Sequence, residues 1–176
     1  MKTADRARAA QVGQTLVEFA LVLPMLFLLF VNAVNFAGFL FAWITVANTA
    51  RTGAQYMIMG GATVQSPKPP SASQIAAVIT TDISSLLNRT SLVVRVCTRS
   101  PSNSTNVVCA TPKGSGSFSD PPADPRAEAG LYVMGWVDVL YTYEPFIPLF
   151  KFPGLNISAT LPPLSVHRQT VMRMLQ

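Results

Sequence analysis

An acid at the threshold of a long apolar run is the residue in this chain whose type and place most need an explanation. Glu18 is followed by Phe19-Ala20-Leu21, and no charged residue occurs from Phe19 to Ala50. A carboxylate carried to the centre of a bilayer costs roughly 2.5–3.5 kcal/mol. Something should compensate it, and the plain reading is a carboxylate that snorkels to the interface at the start of a helix, whose dipole favours an anion. The remaining candidates for chemistry are sparse. Cys97 and Cys109 share one segment, flanked by Val93-Val94 and Val107-Val108. Outside the cytoplasm such a pair closes a hairpin, and the alternative is two buried thiols. Two cysteines and a single histidine, His167, fall short of the four ligands that a structural zinc site requires. His167 has no cysteine or acid at a nucleophile spacing and reads as a solvated strand residue. Asp120, Asp124 and Glu128 lie in a proline-rich loop without the oxygen-ligand spacing of a calcium loop. The expectation is therefore a protein that is not an enzyme and has no cofactor and no metal.

The composition places these residues in a membrane-anchored chain. Of 176 residues only 12% are charged, against about 25% in ordinary soluble proteins, and the apolar excess is concentrated towards the N-terminus. The formal net charge of +5 is scattered, with no basic patch interleaved with aromatics, so nucleic acid is not an expected partner. Lys2, Arg6 and Arg8 precede the apolar run, and basic residues ahead of a hydrophobic helix stay on the cytoplasmic side. The rest of the chain is then expected outside.

The elements that position these residues follow from periodicity and from the chain breakers. Residues 1–13 form a short basic leader. Residues 14–60 read as one helix, longer than the about 20 residues that cross the hydrocarbon, with Trp43 at the outer headgroups and Pro24 removing a backbone hydrogen bond. The run exceeds the 7–15-residue core of a secretory signal, which favours an uncleaved span or a different processing route. Gly60-Gly61 closes the helix, and residues 61–72, with Pro67, Pro69 and Pro70, form a linker. Residues 73–176 form a small extracytoplasmic domain. A second helix is expected from about Ser73 to Leu87, where Ile75, Val78, Ile79 and Ile83 recur at helical spacing. Leu92–Thr98 and Val107–Ala110 read as paired strands, 112–125 as a loop, and Leu131–Tyr143 as the clearest alternating strand. Prolines 145, 148 and 153 with Phe146, Phe150 and Phe152 make an apolar loop. Leu155–Leu161 alternates again, and a last element follows Pro162-Pro163. The fold class is α+β: a long N-terminal transmembrane helix, then a short helix packed on an antiparallel sheet.

Gly13 followed by Glu18, with a basic leader before and an apolar helix after, resembles the processing site of type IV prepilins. The continuation Val17-Glu18-Phe19-Ala20-Leu21, with Leu23-Pro24 after it, resembles the TadE-like family of tight-adherence pilus pseudopilins. Looser likenesses follow in Ala50-Arg51-Thr52-Gly53-Ala54-Gln55-Tyr56, in Val137–Tyr143 through Pro148, and in Ile157-Ser158-Ala159 with Arg168. The resemblance implies a prepilin peptidase as partner, with the scissile bond between Gly13 and Gln14. It also implies that Glu18 becomes the fifth residue of the mature chain and offers its carboxylate to a neighbour's new α-ammonium. Other pilins or pseudopilins, the inner-membrane platform and membrane lipid are the further implied partners. Small residues four apart, Ala33 and Ala37, Gly38 and Ala42, would permit close helix approach in lipid, and Asn32 and Asn35 would add interhelical hydrogen bonds. A reading of another class stays open: a single-pass envelope protein whose outer domain binds a ligand and never assembles.

Overall fold

The computed structural model describes residues 2–59, 62–63, 66–67, 70–99, 107–118, 132–148, 154 and 158–175. They fall into two units: Met1–Phe39 with Pro145–Pro162, and Leu40–Glu144 with Pro163–Gln176.

Helix α1 runs without a break over Lys2–Met59 and passes through Pro24. A helix that is apolar on every side belongs in a membrane or a large core. The 18-residue window that qualifies as a span is only 6% buried, unlike a helix enclosed in a core. Three threonines of α1 donate to the carbonyl four residues back: Thr45 to Phe41 (2.8 Å), Thr49 to Thr45 (2.8 Å) and Thr52 to Asn48 (3.1 Å). This local bonding is what makes a hydroxyl tolerable in an apolar helix.

In the first unit, α1 meets the segment Pro145–Pro162 through two asparagines. Asn35 is fully buried; its Nδ2 donates to the Ile147 carbonyl (3.2 Å) and its Oδ1 accepts from the Ile147 N–H (3.1 Å). Asn32 Nδ2 donates to the carbonyls of Ala159 and Leu28, both at 2.9 Å. Thr160 Oγ1 donates to the Pro148 carbonyl (3.3 Å). Asn32 and Asn35, expected to link separate helices, thus bond backbone of their own chain.

The second unit contains the folded α+β part. After the two-residue strands β1 (Ala62–Thr63) and β2 (Ser66–Pro67), which pair antiparallel, comes α2 (Ala72–Asp82). Ser71 caps it reciprocally with Gln74: the Gln74 N–H donates to Ser71 Oγ (3.3 Å) and the Ser71 N–H to Gln74 Oε1 (2.8 Å). This is a capping box, and it starts the helix a residue before the sequence reading placed it. The helix also ends earlier than Leu87, tightening into a 3₁₀ turn at Ile83–Ser85. A second turn at Arg89–Ser91 follows Asn88, whose φ of 47° is left-handed.

Strands β3 (Val93–Arg99), β4 (Val107–Lys113), β5 (Tyr132–Tyr143) and β6 (Leu164–Leu175) form one antiparallel sheet in the order β4-β3-β5-β6. Residues 112 and 113 belong to β4 rather than to the expected loop. Val94 pairs with Lys113 and Val96 with Ala110, so β4 carries a bulge there. An edge strand can hold Pro112 at such a bulge, since no ladder donor is lost. On one face of the sheet Val94, Val96, Val137 and Val139 are buried in register. A Cβ built on Gly53 of α1 would lie 2.7 Å from Ile79 Cδ1 and 3.4 Å from Val137 Cγ1. The C-terminal part of α1, α2 and β5 therefore converge on this face, and Val46, Ala50 and Ala54 of α1 are fully buried. Tyr141 on the same face donates its hydroxyl to the Leu87 carbonyl (2.6 Å). Outside the described residues lie Gly60-Gly61, the acids at 120, 124 and 128, and residues 155–157 of the expected fourth alternating run.

Candidate functional site

The N-terminal part of α1 carries the residues that the sequence singles out. Gly13, Gln14 and Glu18 lie in continuous helix. Gln14 and Glu18 are one helical turn apart and both exposed, and Gln14 Nε2 donates to Glu18 Oε1 at 3.3 Å. Such i,i+4 contacts stabilise a helix by only about 0.2–0.5 kcal/mol, so the amide steadies the carboxylate without sequestering it. Beyond Glu18 the apolar side chains stand outward: Leu21 is 76% exposed and Phe27 65%. The site is thus an accessible anion at one end of an uncovered apolar helix.

The small residues of α1 separate by face. Gly38 and Ala42 are buried, and so are Ala50 and Ala54; Ala33 and Ala37 are exposed. Of these pairs, Ala33 and Ala37 are the one open to a neighbouring helix.

The other chemistry-bearing residues gather on the sheet. Cys97 and Cys109 lie opposite each other in register on β3 and β4 and form a disulfide, with Cα atoms 4.1 Å apart. Next to Cys97 on β3, Arg95 faces Asp138 of β5. Its Nη2 and Nε donate to Asp138 Oδ2 at 2.8 and 2.9 Å, and the carboxylate is fully buried. His167 on β6 places Nε2 3.2 Å from Asp138 Oδ1 while its own side chain stays 40% exposed. The Phe118 ring covers this cluster, 4.6 Å from the Arg95 guanidinium carbon and 5.5 Å from the His167 ring. Across β5 and β6, Arg168 stacks on Trp43 of α1 at 3.7 Å, a cation–π contact that serves packing. The Arg95–Asp138 pair was missed from sequence, although one signal was present. Arg95 interrupts the valines at 93, 94 and 96, and Asp138 interrupts those at 137 and 139, and charges of opposite sign in two apolar strands call for each other.

Burial pushes the Tyr141 hydroxyl above its usual pKa, with the nearby charges of Glu144 and Tyr143 adding to the effect. Among the described residues no group of histidine, cysteine and acidic side chains could hold a metal ion. The buried Arg95 and Asp138 are tied to each other across β3 and β5.

No curated protein and no solved structure matches the chain. The family model of TadE-like protein does match, over residues 13–55, from the glycine ahead of Glu18 to the turn of α1 that packs against Ile79, so this segment is similar to the TadE-like family.

Proposed function

We propose that this chain is a minor pilin or pseudopilin of a bacterial tight-adherence pilus and secretion system, processed by a prepilin peptidase between Gly13 and Gln14. The mature helix crosses the inner membrane once, with the leader on the cytoplasmic side and the sheet-bearing unit outside. The observation that carries this reading is the coincidence of the family match, which begins at residue 13, with an exposed Glu18 one turn beyond Gln14 on an uncovered apolar helix.

The physical logic is a pairing of charges. Cleavage turns the Gln14 nitrogen into an α-ammonium, and lipid penalises both that cation and the Glu18 carboxylate. Two copies that place the ammonium of one against the carboxylate of another remove both penalties at once, so processing and assembly become coupled. The exposed Ala33 and Ala37 allow neighbouring helices to approach closely, with other pilins and the inner-membrane platform as partners. The Cys97–Cys109 bond suits an oxidising compartment, in keeping with a sheet outside the cytoplasm.

Mass spectrometry of the N-terminal peptide, from protein made beside its peptidase, tests the processing step. A mature chain beginning at Gln14 is expected; an intact Met1 or a start elsewhere refutes it. Glu18→Ala separates assembly from anchoring. Loss of filament incorporation with membrane insertion retained supports the proposal, and full incorporation refutes the charge pairing.

A further inference from the structure

The segment Pro145–Pro162 connects β5 to β6, yet its described backbone is bonded to the apolar part of α1. Both polar groups of Ile147 are taken by Asn35, the Ala159 carbonyl by Asn32 and the Pro148 carbonyl by Thr160. A loop in water needs no such provision, because solvent satisfies its backbone; a loop in hydrocarbon does. Phe146 is 53% exposed and Ile147 38%. The segment contains one charged residue, Lys151, along with Phe146, Phe150 and Phe152.

Helix geometry sets the depth. With Glu18 at the inner boundary, a hydrocarbon layer of about 30 Å takes about 20 residues at 1.5 Å each and ends near Gly38. Asn32 and Asn35 then lie about 21 and about 26 Å along the span, roughly 5–10 Å inside the far boundary, which is the depth at which interfacial elements bury their apolar face. Sliding the span until Asn32 cleared the hydrocarbon would draw Glu18 about 10 Å inward and the polar Gln14 with it. The fully buried Asn35 would also be costly in lipid if the loop backbone did not hold it.

We propose that the described parts of this segment, 145–148 and 158–162, form a shallow membrane-embedded element, with the backbone of Ala159 and Ile147 bonded to Asn32 and Asn35 and the Phe146 and Ile147 side chains contacting acyl chains of the outer leaflet. The helix thereby receives a second, non-helical attachment to the same leaflet, and the two asparagines position it. The proposal rests on α1 spanning the bilayer, and the test separates the two claims. Phe146→Cys, Phe27→Cys and Leu87→Cys are each introduced into the full chain with its disulfide intact and labelled with a small environment-sensitive maleimide. Each is reconstituted in phosphatidylcholine–phosphatidylglycerol vesicles. Quenching is then read with iodide in the water and with nitroxides at shallow or deep acyl positions. The Leu87 residue, 58% exposed in the other unit, reports water. The expected result is a several-fold lower iodide quenching at position 146 than at 87, with the shallow nitroxide more effective than the deep one; position 27 should favour the deep one. Iodide quenching at 146 equal to that at 87, with 27 still protected, overturns the embedded loop alone. Iodide access at 27 as well overturns the span and the loop together.

Discussion

Asp138→Ala should destabilise the folded unit far more than any surface substitution. Arg95 is 8% exposed and Asp138 fully buried, and removing the carboxylate strands a guanidinium that now donates twice to one oxygen. Breaking a buried pair from one side costs about 3–5 kcal/mol, which for a chain of this size lowers Tm by roughly 6–20 °C. His167 moves the total little: its side chain is 40% exposed and water replaces its lost partner, so His167→Ala should cost under about 1 kcal/mol. The double replacement Arg95→Met with Asp138→Leu discriminates between the energy of the pair and the penalty of an orphaned charge, and should recover most of the stability lost by Asp138→Ala. Urea unfolding of the full chain in detergent, followed by the fluorescence of Trp136, 1% exposed on β5, measures all three. A loss below about 1 kcal/mol for Asp138→Ala, the size of an exposed ion pair, would refute the reasoning, as would a double variant no more stable than the single one.

Removing the disulfide by Cys97→Ser with Cys109→Ser opens a loop of sequence separation 12. On the chain-entropy account it should cost about 3 kcal/mol, read as a lower urea midpoint that added reductant reproduces in the parent chain. Gly53→Ala should be close to neutral in the same assay, since a helix gains about 1 kcal/mol from the exchange while Ile79 must yield to a Cβ at 2.7 Å. Gly53→Val should lose about 1–3 kcal/mol by overpacking. Tyr141 predicts a pH dependence. Its folded pKa is raised, chiefly by desolvation, so the folded state holds its proton more tightly than the unfolded one. The resulting stability is fully present below the unfolded value of about 10 and is lost as pH rises through the folded pKa. Tyr141→Phe should flatten that alkaline loss, and an unchanged slope above pH 10 would count against it.

Sequence by itself determined the features that depend only on neighbours along the chain. An uninterrupted apolar run after Glu18 is long enough to span, because helix rise and bilayer thickness are fixed. The alternation over 132–143 is a strand because side chains point to opposite faces every residue.

Tertiary structure decided what distant segments do to one another. From Leu40 onward α1 belongs to the folded unit, with Val46, Ala50 and Ala54 buried. Nothing in the local pattern distinguishes these from lipid-facing residues, since a core and a bilayer select the same apolar side chains. The register that sets Arg95 against Asp138 depends on strand pairing across 43 positions, and a slip of one residue would turn one of the two charges to the other face. The bond from Asn35 to Ile147 joins residues 112 apart. An asparagine in an apolar helix announces that it needs a partner; which backbone supplies one is settled only when the chain returns to it.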